Sequence, residues 1–240
     1  MPPASTSSRR LAGIAAVALL SVSGLSACSD GNGAEEEAQT PEEVMATAAE
    51  TLTETSGVRL DLTTDNLPPG VTGIVGAAGT ATTVPAFEGT ISVVLTGTTF
   101  DVPVIAVDDT VYAQIPLTPG WNEVDPADYG APDPARLING ETGFPALLET
   151  TEDLEEGDSV RGGADNDEIV TTYTGTVPGA DMKKVIPSSA GDSFDVEWQV
   201  TDDGELRRAD LTGVFYPDSD EMTYTVTFAE YGTEKDITAP

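Results

Sequence analysis

The chain has 240 residues, a formal net charge of −32, one cysteine and no histidine. With no imidazole and a single thiol, Cys/His zinc sites, Ser-His-Asp triads and Cys-His dyads are excluded. The acidity argues against nucleic acid as a partner, and against anionic membrane surfaces except through an anchor.

Arg9 and Arg10 come first, and Leu11 to Ala27 follows with no charge (LAGIAAVALLSVSGLSA). A basic pair before an apolar run of this length, rich in small residues, reads as a signal peptide over residues 1–27 rather than a membrane span. The only cysteine stands at its end. Leu25-Ser26-Ala27-Cys28 matches the bacterial lipobox, in which small residues precede the thiol that takes a diacylglyceryl group. Cys28 is therefore read as a lipidation site and not as a catalytic thiol. Two or three acyl chains suffice for stable anchoring. The expected location is the outer face of the cytoplasmic membrane, in the cell envelope. Loss of Arg9 and Arg10 takes the net charge from −32 to −34. Residues 28–40 then form an acylated tether (SDGNGAEEEAQT after the cysteine) with nothing large and apolar to bury. Residues 41–240 remain, enough for one domain with a sizeable core.

Pro41 to Ser56 predicts a helix. Thr40 can cap it, Pro41 takes the first helical position, and Glu42 and Glu43 suit the positive end. Val44, Ala48 and Leu52 share one face, and Gly57 ends it. From there the period is two. Val58–Thr63, Phe87–Leu95, Phe100–Val107 and Thr110–Ile115 alternate apolar with polar. Glu168–Val177, Phe194–Val200, Glu205–Phe215 and Glu221–Ala229 follow later. Asp202-Asp203-Gly204 is a hairpin signal and Pro217-Asp218-Ser219-Asp220 a second turn. About nine strands with short turns predict an antiparallel sheet. The Gly-, Thr- and Ala-rich stretch 65–85 reads as two weak strands or a flap. Three short helices are expected, at Asp133–Ile138, Gly143–Glu149 and within Val177–Ile186. All are too short to stand without the sheet. The acidic runs Glu152–Glu156 and Asp165–Glu168 lack EF-hand spacing and read as solvated loops. No metal site is predicted. The inward residues are mostly small, which fits either tight packing or a cavity.

Several segments of the middle resemble one known family. They are Val111-Tyr112-Ala113, Gly120-Trp121, Asp125-Pro126-Ala127-Asp128-Tyr129-Gly130-Ala131-Pro132-Asp133-Pro134-Ala135 and Gly143-Phe144. They are similar to the LppX/LprG-type lipoproteins of mycobacteria and related actinobacteria, as are the ending from Tyr231-Gly232 to Pro240 and the layout of lipobox, acidic tether and helix. The resemblance implies an α+β fold: a strongly curved antiparallel sheet, a half-barrel, with helices on its concave side enclosing an apolar cavity. It implies a non-enzymatic role without a cofactor, in which acylated lipids or glycolipids are held and carried across the envelope space. A possible membrane export partner and a monomeric state are expected with it. The cavity lining is expected from alternating strand positions and helix faces: Leu60, Leu62, Ile91, Val93, Leu95, Val102, Val104, Leu137, Ile138, Phe144, Leu147 and Leu148. Trp121 and Tyr129 either sit at the mouth or anchor their loop. The alternative function is an envelope sensor or interaction lipoprotein that binds a protein partner. An envelope hydrolase ranks last, since no carboxylate pair stands out.

Overall fold

The computed structural model describes residues 39–162 and 168–240. The signal peptide, Cys28, the tether as far as residue 38 and residues 165–167 of the second acidic run lie outside the described residues. Thr40 caps α1 (Pro41–Glu54). Its hydroxyl accepts the Glu43 N–H at 3.3 Å, and the Glu43 carboxylate accepts the Thr40 N–H at 2.9 Å. This reciprocal pair satisfies donors that a helix start otherwise leaves free. The buried face is Met45, Ala48, Ala49 and Leu52, with Val44 half-buried. It is turned by about one residue from the expected stripe.

Eleven strands among the described residues make one open sheet. In chain order they are β1 (Gly57–Thr63), β2 (Gly73–Thr82), β3 (Ala86–Leu95), β4 (Thr98–Val107), β5 (Thr110–Ala113), β6 (Asn122–Val124), β7 (Glu152–Gly162), β8 (Glu168–Pro178), β9 (Ser193–Thr201), β10 (Leu206–Gly213) and β11 (Met222–Ala229). The spatial order is β6-β5-β4-β3-β2-β1-β11-β10-β9-β8-β7. Two meanders of consecutive antiparallel strands therefore meet at one seam, where β1 pairs β11 with Leu60 opposite Phe228 and Leu62 opposite Val226. The chain between the meanders forms two 3-10 turns (Pro126–Tyr129 and Pro134–Arg136) and α2 (Phe144–Glu149), while α3 (Gly179–Val185) follows β8. The fold is an α+β half-barrel: the sheet stays open at β6 and β7, and the few helices lie on its concave side.

Two expectations are corrected. The stretch 65–85 contains no flap but a ten-residue strand, β2, paired on both sides in the interior of the sheet. Its sequence, GIVGAAGTAT, lacks the bulky β-formers that mark a strand. Pairing with both neighbours replaces what its side chains do not contribute. Glu152–Glu156 is not a solvated loop but the start of β7, an edge strand exposed along nearly its whole length. β7 pairs β8 with two register shifts, and the Ser159 and Thr171 hydroxyls bond at 2.8 Å. Acidic side chains and bulges on an edge discourage pairing with another chain, which explains a strand without apolar alternation.

Candidate functional site

The register lines up inward residues across both meanders, and their sizes differ sharply from one side to the other. One row runs Tyr173, Trp198, Ala209, Val226, Leu62, Ala77, Ile91, Val102. The next runs Phe228, Leu60, Gly79, Gly89, Val104, Ala113. Most of the large rings stand in the C-terminal meander, and small or aliphatic residues dominate these rows in the N-terminal one. At Gly79 and Gly89 the row has no side chain at all. The Phe87 ring fills that place, and a Cβ on either glycine would come within 2.7 Å of it.

The C-terminal half is packed with buried rings. Phe144 of α2 meets Phe228 edge-on, with centroids 5.1 Å apart. Phe215 lies between Phe194 and Tyr224, 4.9 Å from each. Trp198 is fully buried and its indole N–H donates to the Thr151 hydroxyl at 3.1 Å. The helices α1, α2 and α3 contribute Leu52, Leu147, Leu148, Met182 and Val185 to this core.

Among the described residues, no helix of this kind covers the N-terminal half. Its cover is the proline-rich segment after β6, held by its own turns. Asp125 accepts the Ala127 N–H at 2.9 Å, Asp133 accepts the Ala135 N–H at 3.0 Å, and the Gly130 carbonyl accepts the Ser188 N–H at 3.1 Å. Between this cover and the sheet lies a cavity of about 380 Å³. The sheet supplies Ile74, Ile91, Val93, Leu95, Val102, Val104, Val111, Ala113 and Val124; the β5–β6 connection supplies Ile115 and Pro116, and the cover supplies Pro126, Asp128, Tyr129, Ala131, Pro132 and Pro134. Proline suits such a wall, since it adds an apolar ring and no backbone N–H that would need a partner.

Of the residues expected to line a cavity, Ile91, Val93, Leu95, Val102 and Val104 do so. Leu60, Ile138, Phe144, Leu147 and Leu148 are buried in the packed core, and Leu62 and Leu137 lie half-buried against it. Tyr129 lines the cavity and is 67% exposed, at its mouth. Trp121 lies elsewhere, on the outer face of the sheet, in a groove with Arg59, Thr80, Glu88 and Lys235. Reading the sequence missed Ile74, which sits in the glycine-rich β2, and the prolines, which signal turns before they signal a wall. It also missed Val111 and Ala113, although the alternation of β5 signals both.

A polar clasp borders the cavity where β2 begins. The register of β2 shifts between Ile74 and Gly76. The Ile74 N–H donates to the Tyr216 hydroxyl at 3.1 Å, and the Tyr224 hydroxyl donates to the Ile74 carbonyl at 2.8 Å. The two hydroxyls are 2.8 Å apart, so Tyr216 donates to Tyr224. Gly73 makes room, since a Cβ there would lie 2.5 Å from the Tyr216 hydroxyl. Burial, with the neighbouring Tyr216 adding to it, pushes the Tyr224 hydroxyl well above the ordinary phenol range, so it stays a donor. Asp128 is the one charged side chain in the cavity lining. No group of acidic, histidine or cysteine residues among the described residues is arranged to hold a metal ion. No helix among them is long and apolar enough to cross a membrane.

An open half-barrel, packed on one side and hollow under a proline-rich cover on the other, defines a class of cavity-bearing sheet proteins. A family model described as LppX_LprAFG lipoprotein matches residues 40–239, and the chain belongs to that family. Among solved structures it is similar to LprF from Mycobacterium bovis, with a TM-score of 0.67 at 15% identity over 83% of this chain and 96% of that one. It is similar also to the lipoprotein LppX of Mycobacterium tuberculosis, with a TM-score of 0.59 at 15% identity over 82% of this chain and 98% of that one. At such identity the likeness establishes the fold. No curated protein matches the chain.

Proposed function

We propose that this protein is a lipid-anchored carrier of the cell envelope, which takes an acyl chain of a lipid or glycolipid into the cavity and carries it across the envelope space. The observation that supports this most is the cavity itself: an apolar hollow lined by aliphatic side chains under a proline-rich cover, beside a half of the same sheet that is filled with rings. Each buried methylene is worth about 0.8 kcal/mol, so shielding one long acyl chain is worth on the order of 10 kcal/mol. No reacting group is required for such work. Ile91, Val93, Leu95, Val102 and Val104 would touch the chain. Leu60, Leu62, Leu137, Ile138, Phe144, Leu147 and Leu148 would form the firm wall behind it. Cys28 would carry the anchor, residues 28–40 would let the domain 41–240 swing from the outer face of the cytoplasmic membrane, and the carrier would act as a monomer that receives cargo from a membrane export partner.

The test is native mass spectrometry of the mature chain with Cys28→Ser, purified from the envelope of a related actinobacterium. The expected result is a discrete added mass that organic solvent removes. A bare mass, with no uptake of added acyl-glycolipid, would overturn the carrier reading in favour of an interaction lipoprotein.

A further inference from the structure

The cavity has a deep end and an open end, and the exposure of its lining tells them apart. Val104, Val111 and Ala113, on β4 and β5, are buried. Along β3 the lining passes from the half-buried Ile91 and Val93 to the exposed Leu95, at the β3–β4 hairpin. Thr72, just before β2, is exposed as well. The cavity therefore opens at the end of the sheet where β1 passes to β2 and β3 to β4. Three connections of the N-terminal meander gather at this end: residues 64–72, 96–97 and 114–121. Their only charged residue is Asp65, in a chain with 42 acidic and 10 basic ones. The β10–β11 connection, at the same end of the packed half, holds Asp218, Asp220 and Glu221 instead.

Six large apolar side chains are exposed among the described residues, and three of them border this opening: Leu95, Tyr129 and Leu117. Leu117 adjoins Pro116 of the lining and is fully exposed. Its φ is 68°, in a turn that the Thr118 N–H closes on the Ile115 carbonyl at 3.1 Å. With proline before it, this is the turn position that favours Gly or Asn, since a Cβ crowds the left-handed backbone. Leucine here satisfies neither the backbone nor any packing. A side chain held against both preferences points to a role outside the folded chain.

Resting on the carrier reading, we infer that this end of the hollow half is the face that meets the membrane, with Leu117 at its tip, and that cargo passes there between bilayer and cavity without crossing water. Uncharged loops with exposed leucines, and a tyrosine that is apolar in its ring and polar at its hydroxyl, suit the boundary between head groups and acyl chains. The three connections hold no lysine or arginine, so the contact rests on apolar insertion and does not weaken with salt. The acids of the β10–β11 connection hold the packed half away from an anionic surface. The hollow half is left as the side that approaches.

The test tethers the mature chain through Cys28 to a maleimide lipid in phosphatidylcholine vesicles, with or without bromine on the acyl chains. Tryptophan is placed by Leu117→Trp or, at the opposite end of the same meander, by Val84→Trp, each with Trp121→Phe; the remaining Trp198 is fully buried. Val84 is 82% exposed between β2 and β3, so it controls for the affinity of tryptophan itself for lipid. Brominated chains are expected to quench Leu117→Trp strongly at low and at high salt, and to leave Val84→Trp unquenched. Leu117→Asn, which suits the turn, is expected to slow extraction of a fluorescent monoacylglycerol from the vesicles about tenfold. Its unfolding and its affinity for the monomeric lipid should be unchanged. Equal quenching at both positions, or none at Leu117→Trp, would overturn the docking face and leave the carrier reading standing. Extraction unaffected by Leu117→Asn would overturn the passage of cargo through this face. Strong quenching with no uptake of the monomeric lipid would overturn the carrier reading, and the passage of cargo with it, while keeping the membrane contact.

Discussion

The two meanders of this sheet share pairing, direction and connection style, yet they have opposite interiors. In the C-terminal meander, Trp198, Phe194, Phe228 and Tyr224 project inward, and three helices press upon them. In the N-terminal meander the matching positions hold Ala77, Gly79, Gly89, Val104 and Ala113, and the cover is a string of turns. The lesson is that a cavity can be specified without any special residue. It follows from lining the β2–β6 end of the sheet with aliphatic side chains such as Ile74, Ile91, Val93 and Val102, and from covering them with a proline-rich segment held by capped turns and by the Gly130–Ser188 bond. Stability is thereby concentrated on one side and binding space on the other.

Substitutions should expose this division. Phe228→Ala removes a buried ring from the packed half and should cost about 3–5 kcal/mol in denaturant unfolding. A cost under about 1 kcal/mol would mean that the two halves are not so different. Tyr224→Phe strips the donor from the clasp, leaves the Ile74 carbonyl unpaired, and should cost about 1–3 kcal/mol. Amide exchange should speed up at β2 before it does at β9, since the clasp ties the hollow half to the packed one. Val102→Phe adds volume on the hollow side. We expect a stability change within about 1 kcal/mol, because the ring enters existing space, together with loss of lipid uptake.

The smallest expected effect concerns acid. Glu168 is held below its ordinary value of 4.5, chiefly by its hydrogen bonds from Arg207, at 2.9 and 2.6 Å. Its folded value lies below its unfolded one. Its contribution is therefore complete above pH of about 4.5 and disappears as pH falls through the lowered value. Glu168→Gln should lower stability at neutral pH and leave it unchanged in strong acid, so that the acid side of the profile becomes shallower, as urea titrations at a series of pH values would reveal. Arg207 also bridges to Glu205 at 2.7 Å and lies 5.7 Å from the Tyr231 ring, so this strut belongs to the packed half.

Much of the fold was legible because alternation is a strong signal. β3, β4, β9 and β11 carry large apolar residues at every second position, and Thr40 with Glu43 announces α1. β2 was not, because its glycines and alanines are selected for space rather than for strand propensity. β7 was not, because an edge strand exposed on both faces has no alternation to display. The candidate site was half legible for a related reason. Period two assigned Ile91, Val93, Leu95, Val102 and Val104 to one face, and that face borders the cavity. Leu147 and Leu148 share a helix face too, but periodicity does not say which part of a sheet a helix covers. α2 sits against Phe228 in the packed half, a placement fixed by the β1–β11 seam between residues far apart in the chain.

The central claim is that cargo lies in the hollow half alone, and the most direct measurement is photolabelling with monopalmitoylglycerol carrying a diazirine along its chain, followed by peptide mapping. The account predicts labels on peptides spanning Ile91–Val104 and Ile115–Pro134, absent from β8 to β11 and diminished by Val102→Phe. Labels concentrated on the peptides of Phe194, Trp198 or Phe228, or spread evenly over both meanders, would contradict it.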